Sequence, residues 1–322
     1  PNVNHLKEIF QVAPIHSHEL SVSGGSEAFQ YLVSASYYDQ RGIIRNTGYN
    51  RLTVRSNLSA TPKKWLALGL NVSGSYSDNN LVSSSGDGYG SSEGGSVVRY
   101  ALFRTPAIPV KDANGNWVDL PGTYYGDPVY NSFFGDGYSP EGLAAMTDRS
   151  IKTKSIIATT HLTFKFTKDI FWKNTFGIDY RNAANRVFNH TWGDSNRINA
   201  TNSLNVNTSE NFNWTFNSTF NHSMEFANDH HFSYLVGAEL IRNSGYATGM
   251  NNNAFVNTDP EFTYIGKGIG QKDVSESVSA SSLLSFFANV NYNYKSKYYV
   301  SAIIREDGSS RSSKGNRWGT FY

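Results

Sequence analysis

The connections between eleven segments of this chain vary in length in a regular way, and this regularity constrains the fold most. After every odd-numbered segment the chain turns within a few residues. After every even-numbered segment the connection is longer, from about ten residues up to the stretch 78–150. In an up-and-down antiparallel sheet, alternate connections lie at opposite ends. Short turns at one end and long loops at the other are typical of outer-membrane barrels.

The segments themselves alternate apolar and polar residues with a period of two, as expected of strands that have two different faces. Segments of about this length also suit a tilted crossing of a membrane. We predict an all-β fold, an antiparallel up-and-down transmembrane β-barrel segment of about 10–11 strands with short periplasmic turns and a long extracellular loop at 78–150. The predicted strands are about 18–24, 28–40, 50–60, 65–77, 152–167, 171–183, 206–222, 231–244, 278–294, 297–306 and 317–322.

The stretch Asn211–Asn221 shows the alternation most clearly. Aromatic side chains dominate one parity, and asparagine and threonine occupy the other without a single charge. A hydrated interior accounts for the amide and hydroxyl face, and lipid accounts for the aromatic face. The same pattern on other strands predicts a set of lumen-facing side chains. They are Asn213, Thr215, Asn217, His161, Asn289 and Asn291.

Aromatic residues lie beside several of the short turns, where a barrel carries an interfacial girdle. A general preference of strands for aromatic residues is the alternative explanation. We favour the girdle. Its predicted members are Trp65, Phe171, Trp172, Phe232, Tyr298 and Tyr299.

Composition excludes several classes of protein. The 322 residues carry a formal net charge of +2, so there is no electrostatic case for a nucleic-acid partner. Charged residues make up 17% and aromatic residues 14%, which is a low charge and a high aromatic content for a soluble protein. Cysteine is absent, which excludes disulfides and cysteine-based catalysis or metal binding. Mean hydropathy is −0.46, and no apolar run is long enough for a transmembrane helix.

Three stretches resemble a known family. Residues 31–80, YLVSASYYDQRGIIRNTGYNRLTVRSNLSATPKKWLALGLNVSGSYSDNN, are similar to the early barrel of SusC/RagA-like TonB-dependent transporters. Residues 8–27, EIFQVAPIHSHELSVSGGSE, resemble the approach to that barrel. Residues 303–322, IIREDGSSRSSKGNRWGTFY, resemble the R-x-D-G-S-S-R-F and W-G-x-F motifs, although Ser312 replaces the phenylalanine. Together the three stretches cover about a third of the chain.

The resemblance implies more than this sequence contains. Family members have a carboxypeptidase-regulatory-like extension, a TonB box, a plug domain and a barrel of twenty-two strands. They work with a SusD-like lipoprotein lid and draw energy from the TonB–ExbB–ExbD complex. They import oligosaccharides or peptides across the outer membrane of Bacteroidota. Because about eleven strands, no plug and no TonB box are recognised, and because residue 1 is Pro1, we expect a barrel fragment.

The long loop holds the residues that most resemble a binding surface. Exposed aromatic side chains stack on sugars and also anchor protein interfaces, although rings can equally pack a loop internally. The predicted contacts with substrate or partner are Trp117, Tyr124, Tyr125, Tyr130 and Phe133. Asp112–Asn116 has the oxygen spacing of a calcium loop but lacks its downstream glutamate, so we predict an Asn-Gly hairpin. The Gly/Ser tract Ser84–Gly95 is predicted to be a loop tip.

No catalytic residues, cofactor site or metal site are predicted, because the histidines are scattered and no nucleophile–base spacing is evident. An enzyme is therefore disfavoured. Two other functions stay open beside active transport. One is a passive porin or an adhesin-type outer-membrane barrel, and the other is a soluble β-rich carbohydrate-binding domain.

Overall fold

One sheet of eleven strands forms most of the molecule. The computed structural model describes residues 2–82, 96–134, 138–193, 200–227 and 229–322. The predicted tract Ser84–Gly95 lies outside these residues. The strands are β1 (Ile15–Gly25), β2 (Phe29–Arg41), β3 (Gly48–Lys63), β4 (Leu66–Asn80), β5 (Thr147–Lys165), β6 (Ile170–Asn189), β7 (Ser203–Phe226), β8 (His230–Asn253), β9 (Asp273–Tyr294), β10 (Tyr298–Ser309) and β11 (Trp318–Phe321).

Every strand pairs antiparallel with its neighbours in sequence, so the sheet order is β1 to β11 without a crossover. The predicted fold class, an up-and-down barrel segment with short turns alternating with long connections, is confirmed. In the described part of the chain, β1 and β11 are the two edges of the sheet and do not pair with each other.

The middle strands extend well beyond the predicted ends. Strand β7 runs for 24 residues from Ser203 to Phe226, against a predicted 206–222. Strand β8 runs for 24 residues to Asn253, about nine residues past its predicted end. Nine of the ten residues added to β8 lie at the end of the sheet that carries the long connections, the long-connection end. Strand β7 gains three residues at that end and four at the short-turn end. The extension of β8, GYATGMNNN, is rich in asparagine and glycine, so it lacks the contrast between faces that made the rest of the strand recognisable.

The predicted loop 78–150 is partly helical and is shorter than expected, since β4 continues to Asn80 and β5 begins at Thr147. Four short helices form in the described part of this loop, and a fifth precedes β1. None of the helices in the described residues combines the length and the apolar character needed to cross a membrane. The helices are α1 (His5–Ile9), α2 (Val97–Phe103), α3 (Pro121–Tyr125), α4 (Val129–Phe134) and α5 (Pro140–Ala145).

Buried apolar clusters lie only at the long-connection end in the described residues. One joins α1, α2 and α5 through Ile9, Val97 and Ala144. The other joins the ends of β6 and β7 to the β8–β9 connection through Phe188 and Leu204. Elsewhere the sheet itself has no second layer, so its large apolar side chains stay exposed.

The sheet has one polar and one apolar face, because the register keeps the two parities separate from β1 to β10. The polar face still contains Leu32, Ile157 and Ile303. An exposed apolar surface of this extent needs an apolar environment or partner. Large exposed side chains of the apolar face include Leu20, Val22, Phe29, Val33, Leu52, Val54, Leu70, Ile156, Leu162, Phe176, Phe212, Val236, Leu240, Phe286, Val290, Val300 and Ile304.

The edge of this apolar band slopes from β2 to β10, and only β9 departs from the slope, because its apolar face continues through Ala280 to Val278. Its last apolar residue before the first charge or amide is Tyr37 on β2 and Ile304 on β10. The row of paired residues through Tyr37 reaches Val278 on β9, whereas Ile304 lies opposite Ala288, ten residues further along β9. Ten residues are about 33 Å and eight strand spacings about 38 Å, giving a slope of about 40°. Barrel strands tilt by this amount.

Candidate substrate-facing surface

The register places all six predicted lumen-facing residues on the polar face. Asn213, Thr215 and Asn217 succeed one another on β7. His161 shares their face, because His161 and Asn217 both lie opposite Thr175 of β6. Its ring leans away from β7, since a methyl group on Gly69 of β4 would come within 2.0 Å of it. His161 is therefore on the right face but outside the β7 cluster.

Asn289 and Asn291 lie closer to the short-turn end of the polar face. They pair with Leu235 and Ser233 of β8. The side-chain amide of Asn291 donates to Asn289 Oδ1 at 2.5 Å, so the two asparagines satisfy one another. The structure thus groups three of the six predicted residues and leaves three apart.

The three grouped residues surround a shallow depression of about 300 Å³ over Gly177. A Cβ at Gly177 would meet nothing closer than Thr159 Oγ1 at 3.8 Å, so the absence of a side chain leaves real space there. Hydroxyl, amide and carboxylate groups can all reach this space. The polar side chains lining it are Thr159, Thr175, Asp179, Asn213, Thr215 and Asn217.

A charged cluster adjoins the depression, and the sequence reasoning missed it. Arg305 of β10 donates from Nε to Asp307 at 2.7 Å, and from Nη2 to Glu239 of β8 at 2.8 Å and to Ser285 of β9 at 2.9 Å. Ser285 is fully buried. The amide of Asn217 reaches the other oxygen of Glu239 at 3.4 Å. Asn217 therefore connects the depression to a cluster with one positive and two negative charges.

Two signals in the sequence point to this cluster. Arg305 and Asp307 are the R-x-D of the family-like motif, and Glu239 is an isolated acid within an otherwise apolar and small-residue stretch of β8. Charges within membrane-spanning segments are costly, and those that persist are usually paired and functional. The sequence does not show that Glu239 and Arg305 pair, because the two residues lie 66 positions apart.

The loop aromatics divide into packed and exposed rings. The Tyr125 ring lies 4.9 Å from the rings of both Tyr124 and Tyr130, and its hydroxyl donates to a backbone carbonyl. The ring of Trp117 lies under Lys111 Nζ at 4.3 Å. Phe133 is 75% exposed. Most of these rings therefore pack within the loop, and Phe133 is the one whose side chain is largely available to another molecule.

A buried polar group holds the helices of this loop together. His5 Nδ1 lies 2.6 Å from Glu141 Oε1, and His5 Nε2 lies 3.2 Å from the Thr105 carbonyl. Ser139 donates to the other oxygen of Glu141 at 3.2 Å. Since Ser139 and His5 bind different oxygens and do not touch, the group links α1 to α5 and does not form a nucleophile–base pair.

The Asp112–Asn116 segment is a hairpin tip, with Lys111 bridged to Trp117. Asp112 accepts the backbone N–H of Asn114 at 2.8 Å and that of Asn116 at 2.9 Å. These hydrogen bonds, led by the one from Asn116, hold the pKa of Asp112 below its usual value. The carboxylate of Asp112 therefore stabilises its own turn.

Comparison with known proteins gives this geometry a context. No family model matches the chain. Over 332 residues it is 28% identical to TonB-dependent receptor P3 of Formosa agariphila, which spans 99% of this chain and 31% of the relative. Over 341 residues it is 23% identical to TonB-dependent receptor SusC of Bacteroides thetaiotaomicron, again with 99% and 31% covered.

Solved structures show the same architecture. The RagAB peptide transporter superposes with a TM-score of 0.79 at 22% identity, covering 99% of this chain and 34% of that one. The ferric preacinetobactin receptor BauA of Acinetobacter baumannii superposes with a TM-score of 0.53 at 10% identity. The fold is thus that of the barrel of TonB-dependent receptors.

Within that class, the predicted resemblance to SusC/RagA-like TonB-dependent transporters is confirmed: the chain is similar to a SusC/RagA-like barrel segment along almost its whole length. The relatives are receptors and transporters by name, not enzymes. The chain spans about a third of the length of the curated relatives it matches.

Proposed function

We propose that this chain is part of an outer-membrane TonB-dependent active transporter that imports oligosaccharides or peptides. In this proposal the apolar face meets lipid, the short turns are periplasmic and the long connections are extracellular. A SusD-like lipoprotein covers the extracellular end, and TonB–ExbB–ExbD supplies energy through parts of the protein outside this chain. The cell is a member of the Bacteroidota.

One observation carries the proposal: the chain's similarity to named TonB-dependent receptors runs along almost all of it and coincides with a sheet that is polar on one face. A passive porin would share the two faces but has no reason to share that sequence. The resemblance to the RagAB peptide transporter supports peptides as one substrate class. Oligosaccharides are the other class that the family resemblance implies.

We assign substrate contact to the depression over Gly177. Asn213, Thr215 and Asn217 offer amides and hydroxyls that suit both sugar hydroxyls and peptide bonds. His161, Asn289 and Asn291 line the same lumen further away. Contact with substrate or lid at the loop is assigned to Phe133, together with the less exposed Trp117, Tyr124, Tyr125 and Tyr130.

The test of transport uses the intact protein in its own cells. Labelled maltooligosaccharides and labelled tryptic peptides are offered to cells with and without the gene, before and after a protonophore. Uptake that needs both the gene and the proton gradient supports the proposal. Gene-dependent uptake that survives the protonophore indicates a passive pore, and recovery of the protein in the soluble fraction overturns the membrane assignment.

The test of the site is to fill the depression. A Cβ at Gly177 has room, and valine suits a strand, so Gly177→Val should fold and reach the membrane normally. Uptake should fall severalfold through a raised KM. Gly315→Ala, in a loop where a Cβ also meets nothing, is the matched control and should leave uptake unchanged. Equal uptake by both variants would show that the depression is not part of the transport path.

A further inference from the structure

Lysines are concentrated at two of the short turns. Lys63 is the last residue of β3 and Lys64 follows it in the turn to β4, and Lys295 and Lys297 lie between β9 and β10. All four are exposed. Lys295 forms an ion pair with Asp229 at 3.6 Å. Within the described residues the other three have no ion-pair partner, so three ammonium groups at one end of the sheet are uncompensated.

The ammonium groups of the second turn lie beside the apolar face. Lys295 Nζ is 5.3 Å from the centre of the Tyr294 ring, and Lys297 Nζ is 5.5 Å from that of Tyr298. The register places both tyrosines on the apolar face. A lysine on an apolar surface keeps its stem on that surface and its charge at the boundary with water.

Stacked rings continue the aromatic edge at the first turn. Trp65 stacks on Phe164 at 6.4 Å, and Phe164 stacks on Trp172 at 5.5 Å. Of the predicted girdle, Trp65, Trp172, Phe232 and Tyr298 belong with the apolar face. The register places Phe171 and Tyr299 on the polar face, so the prediction that these two residues belong to the girdle was wrong.

Turn chemistry does not account for the lysine at position 295. Lys295 and Ser296 have φ angles of 54° and 51°, and the N–H of Lys297 donates to the Tyr294 carbonyl at 3.0 Å. Such a turn favours Asn-Gly, which tolerate positive φ. A lysine at a strained backbone position points to a role for its charge.

We propose that these two turns bind the phosphate groups of anionic phospholipids, in the leaflet that borders the short-turn end of the barrel. The inference rests on the proposed function, since it requires the apolar face to lie in lipid. Lysine supplies the charge attraction, and the adjacent rings occupy the headgroup region. The turns are about six strand spacings, or roughly 29 Å, apart, so they are two separate headgroup sites.

The test measures the lipid that the intact protein retains. Protein is reconstituted in nanodiscs of equimolar phosphatidylcholine and phosphatidylglycerol, and the lipid that stays bound on transfer to detergent is identified by native mass spectrometry. Wild type should retain phosphatidylglycerol in preference. Replacing all four lysines, with Lys63→Gln, Lys64→Gln, Lys295→Gln and Lys297→Gln, should lower that preference by about tenfold or more.

Two further variants guard against misfolding and against a general charge effect. Arginine at the same four positions keeps the charge and should keep the preference. Lys152→Gln with Lys154→Gln removes two exposed lysines from the same face at the opposite edge of the band, and should also keep it. Excess inorganic phosphate should not compete, because a free anion lacks the lipid that brings the headgroup to the turn.

The outcomes separate this inference from the proposed function. A glutamine variant that inserts into nanodiscs and still prefers phosphatidylglycerol overturns the lipid sites, and leaves these lysines to a periplasmic protein partner. That outcome would leave the proposed transport function standing. A wild-type protein that does not insert into nanodiscs at all overturns the membrane assignment itself.

Discussion

Single residues in this chain take strained backbone conformations, and the turn after β9 is the clearest case. A residue other than glycine in the left-handed region costs about 1–2 kcal/mol. Ser296→Gly should therefore stabilise the protein by about 1 kcal/mol while leaving both lysines of the turn in place. The measurement is equilibrium unfolding by guanidinium in detergent. Ser301→Gly, the same change inside β10, should destabilise instead, and a gain there would refute the explanation.

The carboxylate of Asp112 gives a prediction about pH. Because the folded pKa is depressed, its hydrogen bonds stabilise the hairpin fully above the ordinary pKa of an aspartate, and this stabilisation is lost as pH falls through the lower folded pKa. Trp117 pairs with Lys111 across the hairpin, so its fluorescence reports the opening.

Asp112→Asn is the control for that experiment. Its amide oxygen still accepts the N–H groups of Asn114 and Asn116 but does not titrate in this range. The pH-dependent step in Trp117 fluorescence should therefore vanish while the hairpin persists. A step that remains in Asp112→Asn would place the titrating group elsewhere.

At the scale of elements, the sequence predicts strands well where their two faces meet different surroundings. In β7 the aromatic and amide parities of Asn211–Asn221 differ sharply, and that stretch was recognised. From Ser203 to Glu210 the contrast is weaker, because Leu204 and Val206 are the only apolar residues on the parity that is aromatic in Asn211–Asn221. Pairing with β6 and β8 continues there all the same, because the neighbours extend equally far.

Helices of five to seven residues are the other elements that the sequence did not reveal. They are too short to show a helical period and depend on tertiary packing for stability. The features of the candidate site divide in the same way into those that the sequence predicts and those that it does not. Face assignments follow from local alternation, whereas the Arg305–Glu239 pair and the His5–Glu141 pair depend on register and packing between distant segments.

The long-connection end of β7, residues 203–210, leads to a prediction about hydrogen exchange. Thr208→Pro places a proline in a strand paired on both sides, which removes a ladder hydrogen bond. Amide protection should fall throughout 203–210 and in the paired part of β8, and should stay unchanged from Asn211 to Phe226. Val256→Pro, in the exposed connection after β8, should change little. Equal exchange in both variants would show that residues 203–210 are not a strand in solution.

At the scale of the whole molecule, the His5–Glu141 pair joins the start of the chain to the loop after β4. Removing one partner of a buried pair leaves an uncompensated group, so His5→Ala should destabilise this region by about 3–5 kcal/mol. His5→Ala with Glu141→Ala should cost less than the sum of the single changes. Limited proteolysis within 97–145 measures the effect. Lys7→Ala, exposed on the same helix, is the control and should match wild type.

The slope of the apolar band leads to a prediction about the whole molecule. Residues in the same row of the sheet should lie at different depths in the membrane. Leu70 of β4 and Leu240 of β8 lie in one row of paired residues, through Thr160, Phe176 and Phe216. Their side chains are 37% and 38% exposed, so burial does not distinguish them. The slope places Leu70 in the middle of the band and Leu240 at its edge.

Arginine at these two positions should therefore have unequal effects. The cost of arginine on a lipid-facing strand is about 2–4 kcal/mol at the midplane and about 0–1 kcal/mol near the interface. Leu70→Arg should fall in the first range and Leu240→Arg in the second, as measured by equilibrium unfolding of the intact protein in phosphatidylcholine vesicles. Equal costs would mean that rows of the sheet run parallel to the membrane, which a tilted barrel does not allow.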